Sequence, residues 1–89
     1  METIVKSTVD LEFHEAGPTT DAAAKLRMHD GTEFTGHGVS NRNPADPQQQ
    51  RVGEEVAAAR ALHELSHELL RKANTDIEEQ THTPAHVTH

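Results

Sequence analysis

Two histidines and a glutamate in the C-terminal half of the chain have the spacing of a zinc-hydrolase motif. The segment His63-Glu64-Leu65-Ser66-His67 matches the pattern H-E-x-x-H. Residues four positions apart lie on the same side of a helix, so His63 and His67 could offer imidazole nitrogens to one metal ion while Glu64 activates a bound water. A zinc-dependent hydrolase is therefore one hypothesis.

The surroundings of this motif argue against catalysis. A catalytic zinc usually takes a third protein ligand, and Leu70 and Ala73 stand where a metzincin carries glycine and a third histidine. Glu78 and Glu79 follow too closely to act as a glutamate ligand, and no second long helix is predicted to present them. We therefore predict a non-enzymatic protein without a cofactor. Metal binding by the histidine pair is the alternative.

The composition predicts a thin hydrophobic core. At 89 residues the chain forms one domain. The hydrophobic fraction is 33%, and the aromatic residues are Phe13 and Phe34, so each large side chain carries a large share of the burial. Truncating Phe13, Phe34, Leu62 or Leu69 to alanine is predicted to cost roughly 3–5 kcal/mol.

The charge and the cysteine content restrict the partners and the compartment. The formal net charge of -7 repels phosphate backbones and anionic membranes. The chain has no cysteine, which excludes thiol chemistry and permits a reducing compartment. No signal-peptide pattern and no apolar run of membrane-spanning length occurs. We predict a cytoplasmic protein that binds neither nucleic acid nor membrane.

Eight histidines give the chain a second electrostatic property. Their protonation would remove the net negative charge at a pH around 6 to 7, if their pKa values lie near the free value of about 6.5. Solvated surface positions are the ordinary interpretation. A pH switch is the alternative.

Three stretches of alternating polar and apolar residues predict β-strands. The first runs from Val5 to Phe13 and the third from about Glu33 to Val39. The apolar positions of the second strand are Ala22, Ala24, Leu26 and Met28. Asp30-Gly31 favours a tight hairpin between the second and third strands, so the three strands are predicted to form an antiparallel meander.

From Gly53 onward the apolar residues recur with a period of 3.6, which predicts a long amphipathic helix. The predicted buried stripe consists of Val56, Ala59, Leu62, Ser66, Leu69, Leu70, Ala73 and Ile77. A bend or an end at Asn74-Thr75, with a short second helix through Glu79, is the alternative to one continuous helix.

These elements predict an α+β fold in which a three-stranded antiparallel β-meander is packed on one face by a long C-terminal helix, in the order β-β-β-α. The pattern Gly36-x-Gly38 indicates a strand that the helix backbone approaches closely. One domain is predicted over residues 1–80. Residues 81–89 are predicted to form an extended or disordered tail, from which His82 or His86 could join the histidine pair at a metal ion.

A polar cluster between the third strand and the helix is the candidate recognition loop. Asn41, Arg42 and Asn43 open a segment that is rich in asparagine, proline and glutamine. A turn held by asparagine side-chain hydrogen bonds is the ordinary interpretation of such a cluster.

Four segments of the chain carry a resemblance to a known family: Asn43-Pro44-Ala45-Asp46, residues 53–62, Asp76-Ile77-Glu78 and Thr81-His82. In these residues the chain resembles a small, functionally uncharacterised family, best represented in actinobacteria, with a fold similar to that of double-stranded-RNA-binding domains. The resemblance implies a fold and no activity.

The same resemblance provides an argument against RNA binding. A double-stranded-RNA-binding domain presents lysines at the start of its last helix, where they meet phosphates. The matching turn here carries Glu54-Glu55, so the charge at the docking point is reversed.

The function predicted from the sequence is that of a small binding or regulatory module that acts through protein contacts or self-association. Ile4, the face of the sheet that carries Ala23, and an exposed edge strand are the predicted contact surfaces, to be covered by a second copy or by a protein partner.

Overall fold

A computed structural model of the protein describes residues 2–42 and 50–81, except for the side chain of Gln50. The described elements are strands β1 (Thr8–Ala16), β2 (Thr19–Arg27) and β3 (Glu33–Asn41) and helix α1 (Gln50–Thr81). The predicted α+β fold with the order β-β-β-α is confirmed.

The three strands form one antiparallel sheet in the order β1-β2-β3. The two hairpins place Gly17 (φ 59°) and Gly31 (φ 91°) in the left-handed region, which glycine adopts without strain. The predicted turn at Asp30-Gly31 is confirmed. Strand β1 has the predicted length but lies three residues later than predicted, because the tight turn at Gly17 lets pairing continue to Ala16 opposite Thr19. Strand β3 extends two residues beyond its predicted end, to Asn41.

The backbone of α1 lies directly on β3 because two glycines leave room for it. A Cβ atom at Gly36 would overlap the carbonyl oxygen of Ala61 and the amide nitrogen of Leu65. A Cβ at Gly38 would overlap the carbonyl oxygen of Ala57. The interpretation of this glycine pair as the site of close helix approach is therefore confirmed.

The core is thin, as predicted, but the predicted helical stripe is wrong by about a quarter turn. Leu65 is 3% exposed whereas Leu62 is 40% exposed. The contact with the two glycines turns Ala57 and Ala61, the smallest side chains available, toward the sheet, and this rotation moves Leu62 to the side. The buried apolar residues are Ala22, Ala24, Leu26, Ala57, Ala61 and Leu65, with Met28, Phe34 and Leu69 half-buried around them.

Helix α1 continues without interruption to Thr81, so the prediction of one long helix is confirmed, and the alternative of an end at residues 74–75 followed by a second helix is wrong. The Thr75 hydroxyl donates to the carbonyl oxygen of Arg71 at 3.0 Å, which satisfies it inside the helix. Lys72 forms an ion pair with Asp76 one turn further on. Thr81 is the last helical residue and not the first residue of a tail. Residues 82–89 lie outside the described residues, so the tail remains a prediction.

Candidate functional site

The histidines of the H-E-x-x-H motif lie on the side of α1 that faces away from the sheet. Both side chains are exposed, and their ring centroids are 4.6 Å apart at an interplanar angle of 85°. The Nε2 atoms of His63 and His67 are 3.2 Å apart. Glu64 is exposed beside them, and the Ser66 hydroxyl donates to the carbonyl oxygen of His63 at 2.7 Å.

This arrangement offers two nitrogen ligands but no catalytic pocket. A separation of about 3.3 Å is what two nitrogens span around a tetrahedral zinc with bonds of about 2.0–2.1 Å, so the spacing of the two Nε2 atoms fits one ion. Within residues 2–42 and 50–81, no group of three or more His, Asp or Glu side chains is placed to hold a metal. The open surface would also leave a bound water and a substrate in bulk solvent.

The candidate recognition loop begins in contacts that fix the end of the sheet. The Thr19 hydroxyl donates to Asn41 Oδ1 at 2.8 Å, and the amide of Arg42 donates to the carbonyl oxygen of Pro18 at 2.8 Å. Both residues are therefore held against the β1–β2 turn. Asn43 lies outside the described residues.

Strand β1 is the part of the sheet that α1 leaves uncovered. All nine of its residues are exposed. Helix α1 begins over the paired residues Thr20 and Ser40, where the Ser40 hydroxyl donates to the carbonyl oxygen of Gly53 at 2.8 Å. On the β3 side, Arg60 Nη1 donates to the carbonyl oxygen of Val39 at 2.6 Å. The helix thus lies above β2 and β3.

An apolar surface follows from this offset. The register pairs Val9, Leu11 and Phe13 with Leu26, Ala24 and Ala22, which are core residues on the helix side of the sheet. Paired residues of antiparallel strands project to the same face, so the three β1 side chains lie beside α1 without a helix above them. Their exposures are 42%, 39% and 40%.

Leu62 completes this surface from the helix. Arg60 contacts β3 on one side of the helix. Leu62 lies two positions after Arg60, about 200° further around the helix axis, and is therefore on the opposite side. Near the start of α1, Glu54 contacts Glu15 at the end of β1. The side of α1 that carries Leu62 therefore faces β1. We call the surface formed by Val9, Leu11, Phe13 and Leu62 the β1 groove.

Two carboxylates lie at one end of the β1 groove. At the end formed by Ala16, burial raises the pKa of Glu54 above its usual range, and the hydrogen bond and repulsion from Glu15 raise it further. Near the start of β1, on the opposite and polar face of the sheet, there is a depression of about 410 Å³. Its lining includes three cations and two carboxylates: Lys6, Lys25, Arg27, Asp10 and Glu33.

The opposite face of the sheet is polar, which changes one prediction. Ala23, half-buried, has Glu12 and His37 as its cross-strand neighbours. Arg27 Nε donates to Glu33 Oε1 at 2.9 Å on the same face. The apolar contact surface is therefore on the helix side of β1 and not on the face of Ala23. Ile4, which precedes β1, is 85% exposed.

The sequence predicts an exposed edge strand, but it does not predict that the apolar side of β1 is the exposed one. Three strands spaced about 4.8 Å apart make a sheet wider than one helix of about 10 Å diameter can cover. The sequence predicts one helix. Alternation along β1 indicates burial within the chain, whereas an outer strand has no helix left to cover it.

The family of the chain follows from its sequence. The model of the Rv2632c-like family matches residues 5–86, which is nearly the whole chain. The chain belongs to the Rv2632c-like family. The predicted membership of a small, uncharacterised actinobacterial family is thereby confirmed, and the likeness to double-stranded-RNA-binding domains remains a prediction.

Relatives and a solved structure agree with this assignment. The chain is 39% identical to the uncharacterised protein Mb1767 of Mycobacterium bovis over 80 residues, covering 90% of this chain and 84% of that protein. It is 35% identical to the uncharacterised protein Rv2632c of Mycobacterium tuberculosis over 81 residues, covering 91% and 86%. The crystal structure of Rv2632c superposes with a TM-score of 0.83 at 32% identity, covering 93% of this chain and 98% of that one.

No helix within the described ranges is long and apolar enough to cross a membrane.

Proposed function

We propose that this Rv2632c-like protein is a non-enzymatic binding module of the cytoplasm that acts through protein contacts, and that the β1 groove is its contact surface. The observation that carries the proposal is the set of four large apolar side chains in the groove, each about two fifths exposed. A contiguous exposed apolar surface beside an edge strand is typical of a protein-interaction site.

Two features support protein over nucleic acid as the partner. The net charge is -7, which opposes the counterion release that drives binding to a phosphate backbone. In addition, Glu54 in the second turn of α1 lies close to Glu15 of β1, and two neighbouring carboxyl groups disfavour a phosphate there.

The exposed position of His63, Glu64 and His67 supports a non-enzymatic role. Catalysis by a metal-bound water needs a site that orients the substrate and limits access of solvent. These three side chains project from the outer side of a single helix, so nothing on α1 supplies the walls of such a site.

Site-specific photo-crosslinking in the host cell tests the proposal. A photoreactive phenylalanine derivative at Phe13 places the probe in the β1 groove, and the same residue at Glu64 places it on the other side of α1 as a matched control. We expect discrete protein adducts from position 13, and none, or weaker ones, from position 64. Equal labelling at both positions, or no adduct at position 13, would contradict the proposal.

A second candidate function is metal binding through His63, Glu64 and His67. The separation of 3.2 Å between the two Nε2 atoms favours it, because the pair needs little movement to hold one ion. Titration calorimetry with zinc on the wild type and on the double variant His63→Ala/His67→Ala tests it. Saturable heat that is present in the wild type and lost in the variant supports metal binding, whereas indistinguishable heats exclude it.

A further inference from the structure

Strand β1 is an outer strand of the sheet, and the hydrogen bonds of the other strands show which of its backbone groups face outward. The amide of Arg42 donates to the carbonyl oxygen of Pro18, so the even-numbered residues of β2 bond toward β3 and the odd-numbered ones bond toward β1. Thr19 is paired with Ala16, so the even-numbered residues of β1 bond to β2. The odd-numbered residues of β1 consequently direct their N–H and C=O groups to the outer side of the sheet. They include Val9, Leu11 and Phe13.

The outer side of β1 has no device that prevents pairing with another strand. Its register with β2 is one-to-one over all nine residues, so β1 contains no bulge. Neither proline nor glycine occurs between Val5 and Ala16. The other outer strand differs, because Arg60 covers its edge by donating to the carbonyl oxygen of Val39. The edge of β1 is therefore the one that is suited to strand addition.

The residues before β1 extend this edge. The alternation of polar and apolar residues that predicts β1 starts three residues before the paired strand. Lys6 and Ser7 line the depression on the polar face together with Met28 and His29, which directly follow the last residue of β2. The chain therefore continues in the direction of β1 beyond its last pair with β2. We call residues 5–13 the pairing segment.

We infer that the pairing segment binds the pairing segment of a second copy, antiparallel and about a twofold axis through Val9, so that two sheets of three strands form one sheet of six. This inference rests on the proposed function and names the partner. The odd-numbered residues of both copies exchange about ten backbone hydrogen bonds in this arrangement. Both helices lie on the same face of the joined sheet, and the two β1 grooves adjoin at its centre.

The charges of the pairing segment favour this register. A twofold axis through Val9 places Lys6 of each copy opposite Glu12 of the other copy, on the polar face of the sheet. An axis through Asp10 would place two copies of that carboxylate opposite each other. An axis through Leu11 would place Asp10 opposite Glu12. Directly opposed residues of unlike charge stabilise a strand pair, and like charges destabilise it.

The apolar side chains favour the same register. It places Phe13 of each copy opposite Val5 of the other, and it places the two Val9 side chains opposite each other on the helix side. An axis one residue earlier in the chain keeps Lys6 opposite a carboxylate but places Phe13 opposite Thr3. Val5 is 58% exposed and Phe13 is 40% exposed, so both bury apolar surface when they face each other.

Exchange of two charges tests the register. Sedimentation of the full chain from about 1 μM to 1 mM should show a dimer of twice the 9.8 kDa chain mass. Lys6→Glu and Glu12→Lys should each weaken association by about 10-fold or more, because each creates two like-charge pairs per dimer. The double variant Lys6→Glu/Glu12→Lys should restore it. Within one chain these two residues are about 20 Å apart, so the restoration reports a contact between copies.

Glu64→Lys is the matched control for the charge exchange. It changes the net charge by the same amount as Glu12→Lys, and Glu64 is exposed on the outer side of α1, so association should be unchanged. A double variant that associates no better than the two single variants would overturn the inference. A loss of association in Glu64→Lys equal to that in Glu12→Lys would also overturn it, because it would assign the effect to net charge.

Proline at Ser7 tests the backbone hydrogen bonds separately. Ser7 precedes β1, so Ser7→Pro removes an outward N–H group without removing a hydrogen bond between β1 and β2. It should abolish the dimer and leave the unfolding midpoint at low protein concentration unchanged, which distinguishes lost association from lost folding. Thr3→Pro is the matched control outside the pairing segment and should retain the dimer. A dimer that persists in Ser7→Pro would overturn the inference.

The outcomes also separate this inference from the proposed function. If the purified chain stays monomeric up to about 1 mM while the photoreactive probe at Phe13 captures a different protein in cells, the second-copy inference fails and the proposed function stands. If the chain stays monomeric and the probe captures nothing, both fail.

Discussion

Leu62 and Leu65 are three positions apart on α1, and their environments differ sharply. Leu65 is 3% exposed and Leu62 is 40% exposed. We expect Leu65→Ala to lower the free energy of unfolding by about 2–5 kcal/mol, because it leaves a cavity between helix and sheet. Leu62→Ala removes less buried area and should cost about 1 kcal/mol. Urea unfolding at low protein concentration compares the two. Equal losses in the free energy of unfolding would contradict a core that is centred on Leu65.

Glu54 gives a residue-scale prediction for pH dependence. Its pKa is raised, chiefly by burial and then by Glu15, so the folded state binds this proton more tightly than the unfolded state does. Its contribution to stability is present below the ordinary carboxyl pKa and is lost as the pH rises through the folded pKa. Glu54→Gln should therefore raise the unfolding midpoint at pH 7 and leave it unchanged in acid, near pH 3.

Glu33 is the matched control with the opposite sign. The hydrogen bond from Arg27 lowers the pKa of Glu33, so its contribution is present above the ordinary carboxyl pKa and is lost as the pH falls through the folded pKa. Glu33→Gln should lower the unfolding midpoint at pH 7, with the difference disappearing in acid. Midpoints of both variants and the wild type between pH 3 and 8 check the pair. Shifts of the same sign at pH 7 would contradict the assignment.

At the scale of elements, the glycines of β3 set the distance between helix and sheet. Gly36→Ala places a methyl group on the backbone of Ala61 and Leu65, and we expect it to cost about 1–3 kcal/mol because neither backbone can move independently. Gly53→Ala is the control that adds the same methyl group. Its nearest neighbour is the Thr20 hydroxyl at 3.2 Å, and alanine favours the helix. Equal destabilisation of the two variants in urea would refute the close-contact explanation.

The elements were predictable because local patterns specify them, whereas the rotation of α1 was not. Alternation along β1 and the Asp30-Gly31 turn predict the meander from neighbouring residues alone. The buried side of α1 depends instead on which helical residues are small enough to rest on Gly36 and Gly38. Ala57 and Ala61 are small enough to do so. A prediction based on large apolar side chains instead places Leu62 on the buried side. The same wrong rotation of α1 excludes the β1 groove from the prediction, because a buried Leu62 could not line an exposed surface.

The H-E-x-x-H motif shows a similar limit at the scale of the candidate site. Sequence spacing predicts that His63 and His67 are neighbours, and their Nε2 atoms are 3.2 Å apart. Catalysis depends on walls and on further ligands from elsewhere in the fold. Those are properties of tertiary packing, which the spacing of five residues does not contain.

At the scale of the whole molecule, a thin core makes the stability of the chain sensitive to any partner that covers its exposed apolar surface. The buried apolar residues of the described chain are four alanines and two leucines, so only Leu26 and Leu65 among them exceed alanine in size. A partner that binds only the folded state adds stability that rises with the logarithm of its concentration above the Kd. If that partner is a second copy, the stability of the chain depends on its own concentration.

Thermal unfolding as a function of protein concentration measures this dependence. For a dimer that dissociates on unfolding, we expect the midpoint to rise steadily between about 5 μM and 500 μM, by several degrees for a small domain. Leu11→Asp should reduce the rise, because Leu11 is 39% exposed in the β1 groove. Val52→Asp is the control and should retain the rise, because Val52 is 48% exposed on α1 outside the groove. A wild-type midpoint that is constant over this range would mean that one chain is stable by itself. The partner of the β1 groove would then be a different protein.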